Sequence, residues 1–539
     1  MYDFKTTPYQ HQRNCLKASW SKPYFAFLMD RGTGKTKVAI DNAGILFERG
    51  EIEALFIIAP NGVHKQWVDE QIPEHLPERI PTICRVWTGK NTKKAKKELG
   101  AFWHSPAKLK IFSANVESFQ LKGIAQTFAI NFTRSFKTML IIDESTSIKN
   151  PYAKRSKFLI QKLAPLATYK RILTGNEITR SPFDAYGQYQ FLNPFFWTGI
   201  PNFHAFQNRY GLYKTCSFFK KSVSVKMNCS NHKGPIDKLN IKRLSGSVFL
   251  TCPECGGVEN NNQKLPKTAA NLIQNAGKFE FPQLVKYQNL EDLRERILKC
   301  SFRAKKDECL DLPDKIYQTI NCEMNAEQKR VYEELKNDLR TTYKGEELTV
   351  EIKMLLSMRF LQIVGGFFPG TDEPIGETNP KLDALIYDLS YVEESEPVII
   401  WARFRVELQA IGKALRAVYP NKSTQLYYGD TDSEKRNEIL KDFKAGKVDY
   451  FVANPSVGGK GLNLQLSSLQ YNYSFSNRIE DTWQAEDRTH RSGQTRKCLY
   501  KTLFMPGTVD DWVKKMNADK TSIAEFFRQN PNAKLDEIV

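Results

Sequence analysis

Short apolar runs, arranged in two separate series, constrain the fold of this chain more than any other feature. Longer and more polar stretches with helical character separate the runs. The first series comprises residues 25–29, 55–59, 109–113, 139–142 and 171–173. The second series comprises residues 398–402, 425–428, 450–453 and 499–504. Strands that alternate with helices favour parallel sheets covered on both faces. The sequence therefore predicts an α/β protein with two lobes.

The length of the chain also favours several domains. At 539 residues it exceeds the ~250–300 residues at which a single hydrophobic core usually stops growing. The stretch between the two series is rich in Cys, Asn, Lys and Gly and poor in long apolar runs. We predict a first lobe, an insert, a linker, a second lobe and a helical insert within that lobe, at residues 1–195, 196–280, 281–315, 316–539 and about 323–395.

The charge of the chain points to a polyanionic partner. Lysine and arginine number 79 against 60 acidic residues, which gives a net charge of +19. Such an excess suits nucleic acid, because each phosphate neutralised releases counterions; a basic enzyme without that partner is the alternative. No signal peptide or run of ~20 apolar residues is visible, and the ten cysteines suit a reducing compartment. We expect a soluble cytoplasmic protein with no membrane partner.

A glycine-rich turn, DRGTGKT, follows the first apolar run. Gly32 and Gly34 allow a tight turn whose N–H groups face phosphate oxygens. Lys35 would reach the β- and γ-phosphates, and the Thr36 hydroxyl would bind Mg²⁺. The full motif requires a glycine where Met29 stands, so an ordinary glycine turn is the alternative. The predicted ATP-binding residues are Arg31, Gly32, Thr33, Gly34, Lys35 and Thr36.

A pair of carboxylates ends a later apolar run. The run MLIID finishes at Asp143, and Glu144 follows it. Asp143 can hold Mg²⁺ through water while Glu144 orients the attacking water, which are the two tasks of a phosphoryl-transfer site. Ligands of open α/β sheets bind beyond the carboxyl ends of the strands. We therefore expect this pair to face the glycine-rich turn; a solvated acidic turn is the alternative.

The order of these motifs resembles that of the Swi/Snf-type ATPases, a branch of the superfamily 2 helicase-like motors. IIDESTSIKN resembles motif II, TPYQHQRNCL resembles the adenine-reading segment with Gln12 at the matching place, and IIAPNGVHKQWVDE resembles motif Ia. LTGNEITRSPFDAYGQYQFLNP resembles motif III, FRAKKDECLDLPDK the basic crossover segment, VANPSVGGKGLNLQ motif V and QAEDRTHRSGQTRK motif VI. The resemblance implies two RecA-like lobes in tandem, with ATP and Mg²⁺ in the cleft between them.

The motif VI segment supplies arginines from the second lobe. Gln484, Arg488 and Arg491 are three or four residues apart, which predicts one face of a helix. An arginine presented in this way can stabilise charge on the transferring γ-phosphoryl group. We place Arg491 ahead of Arg488 in this role and interpret Gln484 as a sensor of the nucleotide or of the opposing lobe. A solvated basic helix with local ion pairs is the alternative. Gly459 and Gly461 of motif V are further candidates for the nucleotide site.

Two motifs depart from the family pattern. Thr146 replaces the usual histidine of motif II, and Asn176 and Glu177 replace the usual Thr-Pro of motif III. These changes bear on the coupling of hydrolysis to DNA movement. The residues predicted to carry out hydrolysis are intact.

The resemblance also implies that motifs Ia and V and their neighbours hold a phosphodiester backbone. Such contacts position the protein without reading sequence, so we expect largely sequence-independent binding of duplex or branched DNA. Ordinary solvated loop residues are the alternative. We interpret Trp67 and Trp483 as core packing rather than base stacking. The candidate contacts are Lys65, Gln66, Ser113, Asn115, Arg403, Gly458 and Lys460, with the N–H groups of Gly459 and Gly461.

The insert carries two closely spaced pairs of metal-ligating residues. Two such pairs joined by a loop provide four ligands for tetrahedral Zn²⁺, and Gly256 and Gly257 allow a tight turn around a metal. Cys216 is an alternative ligand to His232, and unligated cysteines are the alternative to a metal site. The insert is rich in lysine and arginine, which suits a zinc-ribbon-like module that helps to grip DNA. The predicted ligands are Cys229, His232, Cys252 and Cys255.

Together these features predict a monomeric ATP-dependent DNA translocase, a hydrolase that acts in repair, recombination or replication. The lack of recognisable appended domains suits a compact bacterial or phage form. A strand-separating DNA helicase is one alternative. A nucleic-acid-binding regulator with weak ATPase activity is the other.

Overall fold

The computed structural model describes most of the chain. The described residues are 2–89, 92–106, 109–175, 177–178, 181–219, 222–244, 247–260, 265, 269, 278–343, 346–349, 353–458, 462–475 and 479–518. The chain divides into two compact units, which we call the core unit and the insert unit. The core unit comprises Met1–Ile148, Tyr152–Glu177 and Ser301–Val539, and the insert unit comprises Lys149–Pro151 and Ile178–Cys300.

The strands of the described residues are numbered in chain order. They are β1 Tyr24–Met29, β2 Ala54–Ala59, β3 Thr82–Val86, β4 Leu109–Asn115, β5 Thr138–Asp143, β6 Tyr169–Thr174, β7 Gly211–Phe219, β8 Ser222–Asn228, β9 Pro235–Leu244, β10 Ser247–Thr251, β11 Lys278–Tyr287, β12 Ser301–Ala304, β13 Lys315–Asn321, β14 Arg340–Tyr343, β15 Glu346–Thr349, β16 Val398–Trp401, β17 Thr424–Tyr427, β18 Tyr450–Ala453, β19 Leu469–Asn472 and β20 Cys498–Phe504.

The first lobe of the core unit is built on a parallel sheet. Its strand order is β12-β1-β6-β5-β2-β4-β3, and every pairing in it is parallel. Every residue of β2 and of β5 is buried, as expected for strands covered by helices on both faces. The carboxyl ends of β1 and β5 therefore open at the same edge of the sheet.

The second lobe of the core unit repeats this architecture. Its sheet has the order β13-β20-β19-β16-β18-β17, again with parallel pairings throughout. Every apolar run that was predicted to be a strand lies on a strand of one of the two sheets, and no run extends more than one residue beyond its strand. The predicted fold class, α/β with two parallel-sheet lobes, is confirmed.

The crossover region contributes strands to both sheets. β12 lies in the segment predicted as a linker, and it pairs with β1 in the first lobe. β13 begins where that segment ends and pairs with β20 in the second lobe. Neither strand is a long apolar run, so backbone pairing at a sheet edge gives them their conformation.

The α-helices of the core unit cover the two sheets. They are Gln10–Ser19, Lys35–Glu48, Val63–Gln66, Ile72–His75, Lys93–Trp103, Ile124–Ser135, Lys154–Phe158, Lys306–Cys309, Ala326–Asp338, Lys353–Val364, Pro380–Leu389, Arg405–Val418, Ser433–Lys444, Pro455–Gly458, Ile479–Glu486 and Val509–Ala518. Short π-helical and 3₁₀ turns accompany them at Trp67–Gln71, Val116–Phe119, Ser145–Ile148, Leu159–Leu163 and Ala164–Leu166.

The region of the predicted helical insert contains three helices, Ala326–Asp338, Lys353–Val364 and Pro380–Leu389, and contributes to the core of the second lobe. The rings of Tyr332 and Phe360, from two of its helices, pack with centroids 4.6 Å apart. Both rings are fully buried in the apolar cluster that includes residues of β16 and β18. The region also contains the β14–β15 hairpin.

The insert unit has a different, antiparallel architecture. One sheet has the order β10-β9-β8, and β11 pairs with β7. Its helices are Ala185–Leu192, Phe203–Tyr210 and Leu290–Leu298, with a 3₁₀ turn at Pro182–Asp184. Valine, isoleucine and leucine side chains of β8, β9 and β10 form a small core together with Cys229 and Cys252.

In the part of the chain that the structure describes, no helix has both the length and the apolar character that crossing a membrane requires. All ten cysteines lie in the described residues, and all are free.

Candidate functional site

The glycine-rich turn leaves the end of β1 and leads directly into the helix Lys35–Glu48. Gly32 and Gly34 have φ values of +82° and +84°, which glycine adopts without the strain that a Cβ introduces. A Cβ atom on Gly34 would overlap Nε2 of Gln12. Both glycines are therefore required by conformation, and Gly34 by space as well. The turn presents backbone N–H groups at a helix N-terminus, an arrangement that suits phosphate. We therefore call residues 30–34 the phosphate-binding turn.

Lys35 and Thr36 are the first residues of that helix. Nζ of Lys35 donates a hydrogen bond to the carbonyl of Asp30 at 3.2 Å. Burial lowers the pKa of Lys35, and the negative charges of Glu144 and Asp143 oppose that shift. The structure thus places Lys35 within the electrostatic influence of both carboxylates, as expected if the three residues form one site.

Gln12 supports the turn from the helix Gln10–Ser19. Its Nε2 donates to the carbonyl of Thr33 at 3.0 Å, and its Oε1 accepts from the N–H of Tyr9 at 3.0 Å. Nε2 of His11 also lies 2.8 Å from the Thr33 carbonyl. Gln12 therefore positions the phosphate-binding turn, a role that the sequence did not predict. Its predicted contact with adenine stays a prediction.

Asp143 ends β5 and is held by a tryptophan. Only 7% of Asp143 is exposed, and its Oδ2 accepts a hydrogen bond from Nε1 of Trp67 at 2.9 Å. Burial raises the pKa of Asp143 to about 6; the charge of Glu144 adds to this rise, while the bond from Trp67 and the charge of Lys35 oppose it. Trp67 is fully buried, which confirms its assignment to the core. Its hydrogen bond to the Asp143 carboxylate was not predicted.

Glu144 has a backbone conformation that is unusual for its residue type. Its φ is +47°, in the left-handed region that costs a non-glycine residue of the order of 1 kcal/mol. Its Oε1 lies 3.9 Å from Nε of Arg31, so the carboxylate is beside the phosphate-binding turn. Thr146 lies in the 3₁₀ turn that follows.

The motif VI segment differs from its prediction. The helix Ile479–Glu486 includes Gln484 but ends before Arg488 and Arg491, so the three side chains do not share one helical face. Arg488 and Arg491 lie in the segment that follows this helix. We call residues 487–491 the arginine turn. The N–H of Arg488 bonds to the carbonyl of Ala485 at 3.1 Å. This hydrogen bond spans three residues instead of the four of an α-helix. The chain is therefore wound more tightly here, and the α-helix does not continue.

Arg488 is buried, with 8% of its surface exposed. It donates to the carbonyls of Gln484 at 2.9 Å and Leu462 at 3.3 Å. Burial lowers the pKa of Arg488 to about 9, and the nearby positive charges of Arg31 and Arg491 lower it further. The guanidinium of Arg488 is thus near the phosphate-binding turn of the first lobe, but its hydrogen bonds go to carbonyls of its own lobe.

Arg491 lies directly against the phosphate-binding turn. A Cβ atom on Gly32 would be 3.1 Å from Cβ of Arg491 and 3.4 Å from its Cα. Nε of Arg491 is buried and has no hydrogen-bond partner among the described residues. A buried guanidinium nitrogen that has no hydrogen-bond partner in the described part of the chain, beside a turn at a helix N-terminus, fits an anionic ligand such as a phosphate.

Some predicted residues lie outside the described residues. Gly459 and Gly461 of the nucleotide site, Lys460 of the nucleic-acid track and Asn176 of motif III are among them. Glu177, the second departure in motif III, is described. Only 2% of it is exposed, and its carboxylate pairs with Arg303 of β12. The acidic residue that replaces the usual proline is therefore neutralised by the crossover segment.

Two of the predicted nucleic-acid contacts, Ser113 and Asn115, make hydrogen bonds within the protein. Ser113 is fully buried and donates to the carbonyl of His64 at 2.7 Å, so its assignment to the nucleic-acid track is wrong. Asn115 caps the turn Val116–Phe119 by accepting from the N–H of Ser118 at 2.8 Å. Trp483 is 36% exposed, so its interpretation as core packing is wrong too. Lys65, Gln66 and Arg403 are half-buried, and Gly458 ends the helix Pro455–Gly458.

The insert unit brings its four predicted metal ligands together. Within the described residues, their ligand atoms all lie within 4.8 Å of one another. Sγ of Cys229 is 3.6 Å from Sγ of Cys255, and Sγ of Cys252 is 3.9 Å from Nδ1 of His232. Zn–S bonds of about 2.3 Å in a tetrahedron place ligand sulfurs about 3.8 Å apart. The cluster therefore fits a tetrahedral Zn²⁺ ion.

Each ligand pair lies in a tight loop closed by backbone hydrogen bonds. The N–H of Cys229 bonds to the Gly234 carbonyl at 2.8 Å, and the N–H of Cys252 bonds to the Gly257 carbonyl at 2.9 Å. Gly256 has the positive φ, +67°, that such a loop requires. Cys216, the alternative ligand, instead donates to Gln283 at 2.9 Å, whereas His232 lies in the cluster with the other three residues.

Two parallel-sheet lobes, a phosphate-binding turn with paired carboxylates on one and arginines from the other define the class of helicase-like ATPases. Comparison with known families identifies the branch. Residues 27–364 match the SNF2-related domain, and residues 380–493 match the helicase conserved C-terminal domain. The chain belongs to the SNF2-related family and contains its ATPase core.

Individual relatives are distant. The chain is 24% identical over 272 residues to an uncharacterized ATP-dependent helicase from Mycoplasma genitalium, across 48% of this chain and 25% of that protein. It is 29% identical over 161 residues to DNA repair protein RAD5 of Candida glabrata, across 28% of this chain and 14% of the relative. A solved SWI2/SNF2 ATPase core from Sulfolobus solfataricus in complex with dsDNA is 17% identical, with coverage of 100% and 98% and a TM-score of 0.39. The chain spans a quarter or less of the length of these two curated relatives.

Proposed function

We propose that this protein is an ATP-driven DNA translocase, which uses hydrolysis at the junction of its two lobes to move along duplex DNA. The observation that carries the proposal is the contact between Gly32 of the first lobe and Arg491 of the second. Each lobe supplies half of a hydrolytic site, so the site is complete only when the lobes are closed. Alternation between closed and open states is a known means of driving stepwise movement.

The residues of the site divide the work of phosphoryl transfer. Lys35 binds the β- and γ-phosphates, and Glu144 orients the attacking water. Arg491 neutralises charge that develops on the γ-phosphoryl group, with Arg488 beside it and Gln484 as the sensor. The Thr36 hydroxyl and the Asp143 carboxylate are oxygen ligands of the type that Mg²⁺ prefers. A bound Mg²⁺ ion would polarise the phosphate oxygens.

The DNA track is proposed at the carboxyl ends of strands in both lobes. Lys65 and Gln66 follow β2, and Arg403 follows β16. Asn115 is the last residue of β4 and can offer its amide nitrogen while its oxygen caps the adjoining turn. The net charge of +19 supports binding to a polyanion. The similarity to a DNA repair protein supports a role in repair, recombination or replication.

We expect duplex DNA to stimulate ATP turnover more than single-stranded DNA or RNA does. Turnover should be titrated with duplex, branched and single-stranded DNA and with RNA, and triplex displacement should be measured beside strand separation. Displacement of the third strand without unwinding supports the translocase. Unwinding of a forked duplex would instead favour a strand-separating helicase. Turnover that no nucleic acid changes would contradict the proposal, and Lys35→Ala should abolish every signal.

We further propose that the insert unit binds a structural Zn²⁺ ion through Cys229, His232, Cys252 and Cys255. Nε2 of His232 lies 2.9 Å from Oε2 of Glu254, and a carboxylate on the second ring nitrogen of a histidine ligand is the usual outer support of a metal site. Glu259, which is 1% exposed, accepts from the N–H of Ser230 at 2.8 Å and so supports the loop that carries Cys229. The excess of lysine and arginine in this segment supports a module that adds to the grip on DNA.

We expect freshly purified protein to contain about one Zn²⁺ ion per chain, as measured by mass spectrometry of the metal. Cys255→Ser removes an exposed ligand and should lower the zinc content several-fold, because three ligands and a weak hydroxyl hold the ion poorly. Cys216→Ser is the matched control and should retain the ion. A wild-type protein free of zinc would refute the site.

A further inference from the structure

Lys306 contacts both halves of the nucleotide site at once. It lies just beyond β12, and 8% of its surface is exposed. Its backbone N–H donates a hydrogen bond to Oδ2 of Asp30 at 3.0 Å. Its Nζ is 2.9 Å from Oδ1 of Asp487 and also donates to the backbone carbonyl of His490. A single residue therefore links the phosphate-binding turn with the arginine turn (487–491).

Asp30 is the residue around which the phosphate-binding turn is organised. Its carbonyl accepts from Oγ1 of Thr33 at 2.7 Å and from Nζ of Lys35 at 3.2 Å. Its own N–H donates to the carbonyl of Ala304 in β12 at 2.9 Å. The crossover segment thus holds Asp30 through both the N–H and the carboxylate. Any residue that fixes the crossover segment also fixes this turn.

On the other side, Asp487 and His490 flank Arg488 and lead into Arg491. An ammonium group that binds a carboxylate and a nearby carbonyl fixes the backbone between them, because both bonds are charge-assisted. Nε2 of His490 also donates to the carbonyl of Pro313 at 2.8 Å. The backbone that presents the two arginines is therefore held by the crossover segment at both of its ends.

The ion pair between Lys306 and Asp487 is less exposed to solvent than a second ion pair between the lobes. The side chains of Lys306 and Asp487 are 10% and 20% exposed. The pair formed by Lys444 and Glu70 also joins the lobes, at 2.8 Å, but its side chains are 39% and 43% exposed. Solvent and salt screen an exposed pair of that kind, which typically contributes little.

We propose that Lys306 is a positioning residue for ATP hydrolysis, which holds the arginine turn of the second lobe against the phosphate-binding turn of the first. This inference rests on the proposed ATPase function. Lys306 acts through the two turns and not on the reacting phosphate. Displacing a catalytic group by about 1 Å can cost on the order of 10²-fold in rate. Loss of the ammonium group therefore reduces kcat more than it reduces nucleotide binding.

The test compares Lys306→Met with Lys305→Met. Methionine keeps the length and apolar contacts of the lysine side chain but removes its charge. Lys305 is the matched control, since its exposed Nζ bonds only to the adjacent Glu308 at 3.0 Å among the contacts described. We expect Lys306→Met to lower the kcat of DNA-stimulated ATP turnover by about 10- to 100-fold while the Kd of a fluorescent ATP analogue changes less than about threefold. Lys306→Arg should restore part of the rate, and Lys305→Met should match the wild type.

A double-mutant cycle separates positioning from a general loss of stability. If Lys306 acts through the arginine turn, Arg491→Ala costs much less in the Lys306→Met background than in the wild type. Independent, multiplying losses overturn the inference. Asp487→Asn removes the other partner and should reproduce the loss of kcat even where Lys306→Met fails to fold; a wild-type kcat in Asp487→Asn also overturns it. If the wild-type protein shows no ATP turnover, both the proposed function and this inference are wrong. If the wild type is active and Lys306→Met has the same kcat, only this inference is wrong.

Discussion

Arg491→Ala is expected to lower the kcat of ATP hydrolysis by about 10³-fold or more, the range measured for arginines that reach the γ-phosphate from another domain. The reason is geometric, because Arg491 packs on Gly32 and its buried Nε has no hydrogen-bond partner among the described residues. Removing it therefore costs little folding stability but leaves the developing phosphate charge uncompensated. Steady-state turnover and nucleotide affinity should be measured on the same preparations.

The choice of Arg491 over Arg488 keeps this experiment interpretable. Arg488 bonds to two carbonyls of its own lobe, and truncating it would leave both without a donor, at a cost of roughly 1–3 kcal/mol each. Arg330→Ala is the matched control, because Arg330 lies on the exposed face of the helix Ala326–Asp338 and pairs with Glu327 and Glu334. A kcat of Arg491→Ala within a few-fold of the control would show that Arg491 does not act in hydrolysis.

Glu144→Gln is expected to reduce kcat by about 10²- to 10⁴-fold, the usual contribution of a positioned acid–base group. Glutamine has nearly the same shape as glutamate. The substitution therefore adds no strain to the backbone, which has a φ of +47° at this position. Removing the negative charge also removes an attraction that keeps the pKa of Lys35 from falling further. Because Lys35 still faces Asp143, ATP should bind with nearly unchanged affinity. Single-turnover hydrolysis and equilibrium nucleotide binding together test this split.

Glu438→Gln provides the control for that variant. Glu438 is exposed on the helix Ser433–Lys444, and its replacement makes the same change in charge far along the chain from either carboxylate. Loss of ATP binding in Glu144→Gln, without a separate loss of hydrolysis, would contradict the assignment of Glu144 to the attacking water.

The strands and the first half of the site could be predicted because their signals are local. A run such as ALFIIA has no polar face, and its short length favours a strand buried on both sides over a helix. The two glycines before Lys35 indicate a tight turn, because glycine adopts the positive φ values found at Gly32 and Gly34 without strain. Likewise, Asp143 and Glu144 stand where a buried strand must end. The four residues of the Cys/His cluster could also be predicted from local signals, since one short loop holds each pair.

Other parts of the site depended on contacts between residues far apart in the chain. The spacing of Gln484, Arg488 and Arg491 suits a helix, but the helix ends at Glu486 and the arginines follow in turns. Around that point Lys306 and Lys315 bind Asp487 and Glu486, and no local signal reveals these partners. Ser113 and Trp483 show the same limitation, because exposure depends on what packs against a residue.

By itself, the sequence determined two parallel sheets, the conformation of the phosphate-binding turn and the identity of the charged groups, because propensity and hydrophobic pattern act over a few residues. Only the tertiary structure decided that Trp67 holds Asp143, that Glu177 is neutralised by Arg303, and that Lys306 joins the two turns. Hydrogen bonds and ion pairs of this kind form wherever folding brings a donor and an acceptor together. Their two residues are far apart in the chain, so no local pattern in the sequence predicts the pairing.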